Sequence, residues 1–585
     1  MYLEKINGPE DVKKLNFDEL NILAEEIREG LFNRLTKIGG HFGPNFGLVE
    51  ATIAMHYVFN SPKDKFVFDV SHQTYPHKML TGRAYGYIDD NRMHEVSGYS
   101  APDESAHDHF IIGHTSTSVS LACGLAKGRD LKGDNENIVA VIGDGSLSGG
   151  EALEAFDFAG SELNSNLIIV VNDNQQSIAE NHGGLYKNLT ELRNGTAKTN
   201  LFTAFGLDYI YEEDGNDIAK LIELFKKVKD IDHPIVVHIN TIKGKGYTPA
   251  VEHREDWHWT VPFDRETGKK KSFGGGESYP GLTANLLLEK IKSDKEVIAI
   301  GAGVPVAFGF TEDKRKIAGK QYADVGIAEE HAVALSSGIA KQGCKPVFGT
   351  NATFIQRTYD QISQDLCVNK NPATIVIGYS SVWGLNDVTH LGIFALSAFS
   401  HIPNLLVLAP TNKQEYLSML DWSVDQNEHP VMLLMPGNEV VDDDRKGVTN
   451  YSNCINKFKV EQNGEKVAII AAGDFYQIGE AATKLIEEKL GFKPTLINPR
   501  FVNDIDKECL DAIKANHSMV ITLEDGIVDG GFGQKVASYL GMSDIKVKNL
   551  GLEKLFYDRY DADEVLNNLG ITPEKIAKFV ENTIK

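Results

Sequence analysis

Gly143-Asp144-Gly145 follows the apolar run Ile138–Ile142, and Asn172-Asp173-Asn174 follows the apolar run Leu167–Val171. Asp144 and Asn174 lie 30 residues apart, each just past a predicted buried strand. In an open parallel sheet, ligands bind beyond the carboxyl ends of the strands. The spacing therefore predicts that these two side chains emerge side by side at one edge. A carboxylate, an amide or backbone carbonyl and phosphate oxygens are the hard ligands that Mg²⁺ takes. The flanking glycines let the backbone approach phosphates, and the start of a helix predicted over 146–160 offers free N–H groups. Taken singly, each segment is a common turn; together, each after a strand, they point to a metal–diphosphate site.

Other residues add possible chemistry. His41 follows Gly39-Gly40 and precedes Phe42-Gly43, a backbone that can come close to a ligand. His72 reads as a loop histidine, and His114, in a Gly-His-Thr-Ser-Thr-Ser stretch, as a polar turn or helix cap. On local pattern Glu329 is an acid at a helix N-terminus, favoured by the dipole, and Phe354 is a core aromatic.

The elements that must position these residues are short β-branched runs alternating with amphipathic segments. Beyond the two strands above, the runs are Ile235–Ile239, Val297–Ile300, Ala373–Ile377, Leu405–Leu408, Val467–Ala471 and Met519–Thr522. That alternation predicts α/β architecture, with mostly parallel sheets covered by helices on both faces. Two polar breaks, Glu266–Ser278 and Pro436–Glu465, divide the chain into three such units, about 1–275, 280–437 and 460–585. The first break is expected to be flexible. Glu524-Asp525-Gly526 and Gly530-Gly531-Phe532-Gly533 read as turns without obvious chemistry.

Composition narrows the function classes. With 59 Lys and Arg against 82 Asp and Glu, the net charge of −23 argues against nucleic acid and anionic membrane surfaces as partners. No apolar run is long enough to span a bilayer, and the polar start lacks an apolar signal core. The five cysteines have neither metal-ligand nor disulfide-framework spacing, so a cytoplasmic protein is expected.

Further segments sharpen the picture: Gly40-His41-Phe42-Gly43-Pro44-Asn45, Asp69 to Lys78, Gly113-His114-Thr115-Ser116-Thr117-Ser118, Lys243-Gly244-Lys245-Gly246-Tyr247, Asp324 to His331 and Phe354 to Gln361. In this order, and almost end to end, they resemble the thiamine-diphosphate-dependent 1-deoxy-D-xylulose-5-phosphate synthases, relatives of transketolase. The resemblance implies a transketolase-like fold with three domains. Residues 1–278 would bind diphosphate and Mg²⁺, 279–440 the aminopyrimidine, and 441–585 would form a C-terminal domain that helps build a homodimer. It implies that Asp144, Asn174 and the Gln176 carbonyl bind Mg²⁺. His72, Gly113, His114, Thr115, Gly145, Ser146, Lys243 and Tyr247 would lie around the cofactor, with Phe354 on the aminopyrimidine face. Glu329 would share a proton with an aminopyrimidine nitrogen, favouring the tautomer that activates the ring, which then serves as electron sink. An apolar pocket would raise the pKa of that acid, as proton sharing requires. His41, His258 and His390 match family histidines that move protons on the substrate, and Tyr359 joins the catalytic group.

The chain also departs from the family pattern. Arginines usual in the family are replaced by Pro102, Tyr379 and Gly437, and Asn386 stands where the family has Asp. Two of those arginines suit a bidentate grip on the acceptor's phosphate, and the one at Pro102 is linked to the donor. Losing two charged hydrogen bonds of about 1.5–3 kcal/mol each would weaken a phosphate's affinity on the order of 10²- to 10⁴-fold. Arg357 remains, either to hold an anionic group or to pair with Asp360. The leading expectation is transfer of a two-carbon unit from a 2-oxo acid or ketose to an aldehyde other than glyceraldehyde 3-phosphate, or one held differently. A transketolase using ketose donors only, a 2-oxoacid dehydrogenase component and a non-catalytic regulatory homologue are the alternatives.

Overall fold

A computed structural model describes residues 1–271 and 276–584 of the chain. Contacts divide it into two compact units, Met1–Gly275 with Gly326–Ala328, and Gly276–Val325 with Glu329–Lys585.

The strands of the first unit are Gly40–His41 (β1), Lys65–Phe68 (β2), Ile138–Gly143 (β3), Leu167–Asp173 (β4), Asp208–Glu212 (β5), Pro234–Asn240 (β6) and Trp259–Thr260 (β7). Five make a parallel sheet in the order β2-β3-β4-β6-β5, while β1 and β7 form a two-residue antiparallel ladder. Alternate residues of the central strands feed two separate cores. Val139, Val141, Ile168 and Val170 pack on one face; Ile138, Ala140, Ile142, Leu167, Ile169 and Val171 pack on the other. Both faces are covered, which explains why these strands read as unbroken apolar runs rather than alternating ones. Burying each such side chain contributes about 1.5–3 kcal/mol.

Part of the break predicted over Glu266–Ser278, residues 272–275, lies outside the described residues. Its preceding stretch is tied rather than flexible. Phe263 and Lys270 form an antiparallel bridge, and Arg265 makes two 2.7 Å hydrogen bonds to Glu29.

The second unit carries Val297–Gly301 (β8), Tyr322–Asp324 (β9), Lys345–Asn351 (β10), Thr374–Gly378 (β11), Leu406–Leu408 (β12), Val431–Leu434 (β13), Lys459–Gln462 (β14), Lys466–Ala471 (β15), Thr495–Asn498 (β16), His517–Ile527 (β17) and Lys546–Leu552 (β18). They form a parallel sheet in the order β12-β13-β11-β10-β8-β9 and a second sheet, β14-β16-β15-β17-β18, that is parallel except for β14. One hydrophobic cluster joins Phe348 and Ile375 of the first sheet with Ala468, Ile470 and Val520 of the second. This shared core joins the two sheets in one compact unit.

Two expectations need correction here. The break predicted over Pro436–Glu465 contains β14 and the fully buried Tyr451. Its polar composition reflects an edge strand and a surface turn, not a bare linker. Glu524-Asp525-Gly526 is no turn either, because it lies within β17. The Glu524 carboxylate accepts the Phe532 and Gly533 N–H groups, capping the helix Phe532–Leu540, so an acid can sit in a buried strand. Among the described residues no helix is long and apolar enough to cross a membrane.

Candidate active site

In the first unit the register pairs Gly143 of β3 with Asn172 of β4, so Asp144 and Asn174 leave neighbouring strands at the same C-terminal edge. Both are buried, at 2% and 9% exposure. Burial raises the Asp144 carboxyl, and the nearby charge of Asp173 raises it further; Lys243, the Gly145 N–H and Asn181 oppose the shift. Asn181 Nδ2 donates to Asp144 at 2.7 Å. Asp173 itself faces elsewhere: it accepts from His238 at 3.0 Å and pairs with Arg193. These partners hold it below the carboxylate range although burial pushes it up.

The loop after β4 folds back over this edge. Gln176 forms a bridge with Glu180, and its N–H donates to Asn174 Oδ1 at 3.3 Å. Gly145 lies directly beneath the loop: a Cβ there would fall 2.7 Å from the Ser177 Cβ. Lys243, buried to 1% exposure, donates to the Ser177 carbonyl, and burial lowers its pKa to about 7. The Ser146 carbonyl accepts the Ser116 hydroxyl at 2.7 Å, which brings the Gly113-His114-Thr115 turn beside it. Buried Asp69 fixes that turn by accepting the Ser116 and Ser118 N–H groups.

Three of the sequence-singled histidines gather in one cluster. Ring centroids are 4.9 Å apart for His41 and His72, 5.3 Å for His72 and His258, and 5.7 Å for His41 and His258. The organiser is Asn45, fully buried, to which sequence reasoning gave no role. Its Nδ2 donates to the His41 and His72 carbonyls, each at 2.8 Å, and its Oδ1 accepts the Tyr75 N–H at 2.9 Å. Burial, with Lys243, His72 and His41 close by, holds His258 well below the usual histidine pKa. Its Nδ1 is buried with no hydrogen-bond partner among the described residues. Tyr247 belongs to an aromatic group beside this loop. Its ring packs among Phe32, Phe42, Trp257 and Phe263, and its hydroxyl donates to the Arg265 carbonyl at 3.0 Å. It braces the Lys243 loop from an aromatic core.

The second unit holds the other group. Glu329 begins the helix Glu329–Lys341, as the helix-acid reading anticipated, yet it is only 1% exposed. Burial raises its pKa to about 7, against the opposing charge of Arg357, whose Nη1 donates to Oε2 at 3.4 Å. Glu329 is thus one partner of Arg357. Phe354 is half-buried, not core, and meets His390 edge to face with centroids 5.7 Å apart. His390 Nδ1 lies 2.7 Å from the Thr389 hydroxyl, and burial brings its pKa down to about 4. Tyr359 lies at the surface, 42% exposed, with its hydroxyl 3.0 Å from His401.

These donors fit a Mg²⁺-bound diphosphate. A buried carboxylate, an amide oxygen, a buried ammonium and a glycine-floored cradle supply the hard ligands, the countercharge and the close backbone approach it needs.

The sequence matches four family descriptions. Residues 3–199 match "1-deoxy-D-xylulose-5-phosphate synthase", 120–279 "Transketolase, thiamine diphosphate binding domain", 279–441 "Transketolase, pyrimidine binding domain" and 456–576 "Transketolase, C-terminal domain". The 1-deoxy-D-xylulose-5-phosphate synthase of Clostridium beijerinckii is 36% identical over 99% of both chains. Synthase 1 of Geobacter sulfurreducens is 35% identical over 99% of this chain and 97% of its own. Among solved structures, the transketolase from Leishmania mexicana is similar at a TM-score of 0.44 and 15% identity, over 97% of both chains. The chain belongs to the 1-deoxy-D-xylulose-5-phosphate synthase family and is a thiamine-diphosphate-dependent transferase.

Proposed function

We propose that this enzyme passes a two-carbon unit from a 2-oxo acid such as pyruvate, or from a ketose, to an aldehyde acceptor other than glyceraldehyde 3-phosphate. Residues 1–278 would serve the diphosphate and metal, 279–440 the aminopyrimidine, and 441–585 assembly. Asp144, Asn174 and the Gln176 carbonyl would hold Mg²⁺, with Lys243, His72, Gly145, Ser146 and the Gly113–Thr115 turn around the diphosphate. When bound, thiamine diphosphate supplies a ring that takes up electrons from a carbonyl carbon. Glu329 would share a proton between its carboxyl and the aminopyrimidine nitrogen, with Phe354 against that ring. His41, His258 and His390, kept neutral where burial depresses them, would accept and return protons at the substrate's oxygens. A homodimer working in the cytoplasm completes the proposal, supported by the transketolase-like third domain and the acidic composition.

The observation that carries the reading is Glu329, a buried acid raised to about 7 at a helix start, where proton sharing near neutral pH is possible. The altered acceptor is supported by Tyr379 and Gly437, neither of which offers a phosphate a cationic side chain. The test is a direct assay with pyruvate and glyceraldehyde 3-phosphate, following carbon dioxide and product. Efficient turnover of that pair at low KM would refute the altered acceptor. Carboligation without carbon dioxide from pyruvate would refute the 2-oxo acid donor.

A further inference from the structure

Beyond the C-terminal ends of β11 and β13, which are neighbours in the sheet, the second unit closes on two carboxylates. Asp525, inside β17, accepts the Ser381 hydroxyl and, at 2.8 Å, the Val382 N–H. Asp474, just past β15, accepts the Gly437 N–H at 2.7 Å. Both line one cavity together with Ser380, Ser381, Leu396 and Pro436; among the described residues lining it there is no Lys, Arg or His. Burial raises both carboxyls, and the charge of Asp474 raises Asp525 further. The groups that stabilise them are a hydroxyl and backbone N–H groups, so among the described residues no cation compensates the pair.

The packing around the pair is closed to a replacement cation. A Cβ on Gly437 would fall 2.4 Å from the Ser381 Cβ and 3.0 Å from its Oγ. Ser381 cannot swing aside cheaply, since Asp525 and the Trp383 N–H, at 3.2 Å, fix its hydroxyl. The same turn reaches the candidate catalytic histidine. A Cβ on Gly392, two residues after His390, would fall 1.8 Å from the Tyr379 carbonyl. Residues 379–381 therefore run, in one packed stretch, from the His390 segment to the acid pair.

We propose that Ser381, Asp474 and Asp525 are specificity-determining residues, selecting an acceptor aldehyde whose far end is uncharged and hydroxylated and rejecting one that carries a phosphate. The inference rests on the reading above that the acceptor is an aldehyde handled at this strand edge. A phosphate dianion beside this pair meets repulsion and no cationic donor. A polyol end can donate to the free carboxylate lone pairs, and a protonated partner can donate back.

The test compares kcat/KM for glyceraldehyde and glyceraldehyde 3-phosphate, with pyruvate as donor, in the wild type, Asp474→Asn and Asp525→Asn. The ratio of the two acceptors within one protein sample is the readout, so a general loss of activity does not move it. Assayed at pH 9, where both raised acids are ionised, the wild type should favour the unphosphorylated aldehyde, and each variant, which removes one charge, should shift the ratio toward the phosphorylated one on the order of tenfold. Replacing one acid of a repelling pair by its amide removes a repulsion, so folding is expected to survive; should one variant fail to fold, the other reports the same ratio. A ratio unmoved in the folded variants overturns this inference and leaves the unphosphorylated acceptor standing. A wild type that prefers the phosphorylated aldehyde overturns both.

Discussion

Glu329→Gln should make the protein more stable and almost inactive at once. The amide keeps the size of the side chain and can still accept from Arg357, now 3.4 Å away. It removes the buried acid proposed to exchange a proton with a ring nitrogen near neutral pH, and positioned acids and bases contribute about 10²- to 10⁴-fold to rate. The stability effect follows from linkage. Because the folded pKa is raised from 4.5 to about 7, the folded protein binds more protons than the unfolded chain within that window. Stability is thus lost as pH rises from about 4.5 to about 7, and the cost is complete above it, on the order of 3 kcal/mol. Gln pays no such cost, though Arg357 gives up a charged partner, which offsets part of the gain. At somewhat under about 2 °C per kcal/mol for a unit larger than those of 150–250 residues, the apoprotein's transition should rise by a few degrees at pH 8, and the gain should fade toward pH 5. Calorimetric scans at the two pH values, with single-turnover assays alongside, measure both effects. Turnover within tenfold of wild type, or a Tm difference that does not depend on pH, would refute the reasoning.

Gly145→Ala should keep the fold yet displace the 175–181 loop, since the new Cβ would sit 2.7 Å from the Ser177 Cβ; cofactor affinity by calorimetry should drop at least about tenfold. Asn45→Ala removes three hydrogen bonds that hold the His41, His72 and Tyr75 backbone. It should cost roughly 2–4 kcal/mol, read as a lower Tm, and should lower kcat more than it raises the donor KM, because the His41 and His72 backbones are released.

The sheets were legible because β3, β4, β6, β8, β11, β12, β15 and β17 are apolar over most of their length. The pairing of Asp144 with Asn174 was legible because parallel order places successive strand ends at one edge. What the sequence hid were contacts made by residues with ordinary local meanings. Asn45, in Gly-Pro-Asn, looks like a turn residue, and only its burial reveals the clamp on two histidine segments. Asp69 and Asn181 each act through backbone or side-chain partners about 40 to 50 residues away in the chain, a distance that carries no periodic signal. The surroundings of Tyr247 and Tyr359 were hidden for a related reason: a motif records that a residue is present, whereas the packing of Tyr247 against Trp257 and the contact of Tyr359 with His401 are made across the fold. The Glu524-Asp525 pair resembled a turn because acids are rare in strands, and helix capping by Glu524 supplies the exception.

The central claim is that the adjoining ends of β3 and β4 hold a metal-bound diphosphate through Asp144. Titration calorimetry of thiamine diphosphate into the wild type and Asp144→Asn, with Mg²⁺ present and then chelated, tests it most directly. Binding by the wild type should require Mg²⁺, and the variant, folded by circular dichroism, should lose on the order of 100-fold in affinity. Equal, metal-independent binding by both proteins would contradict the account.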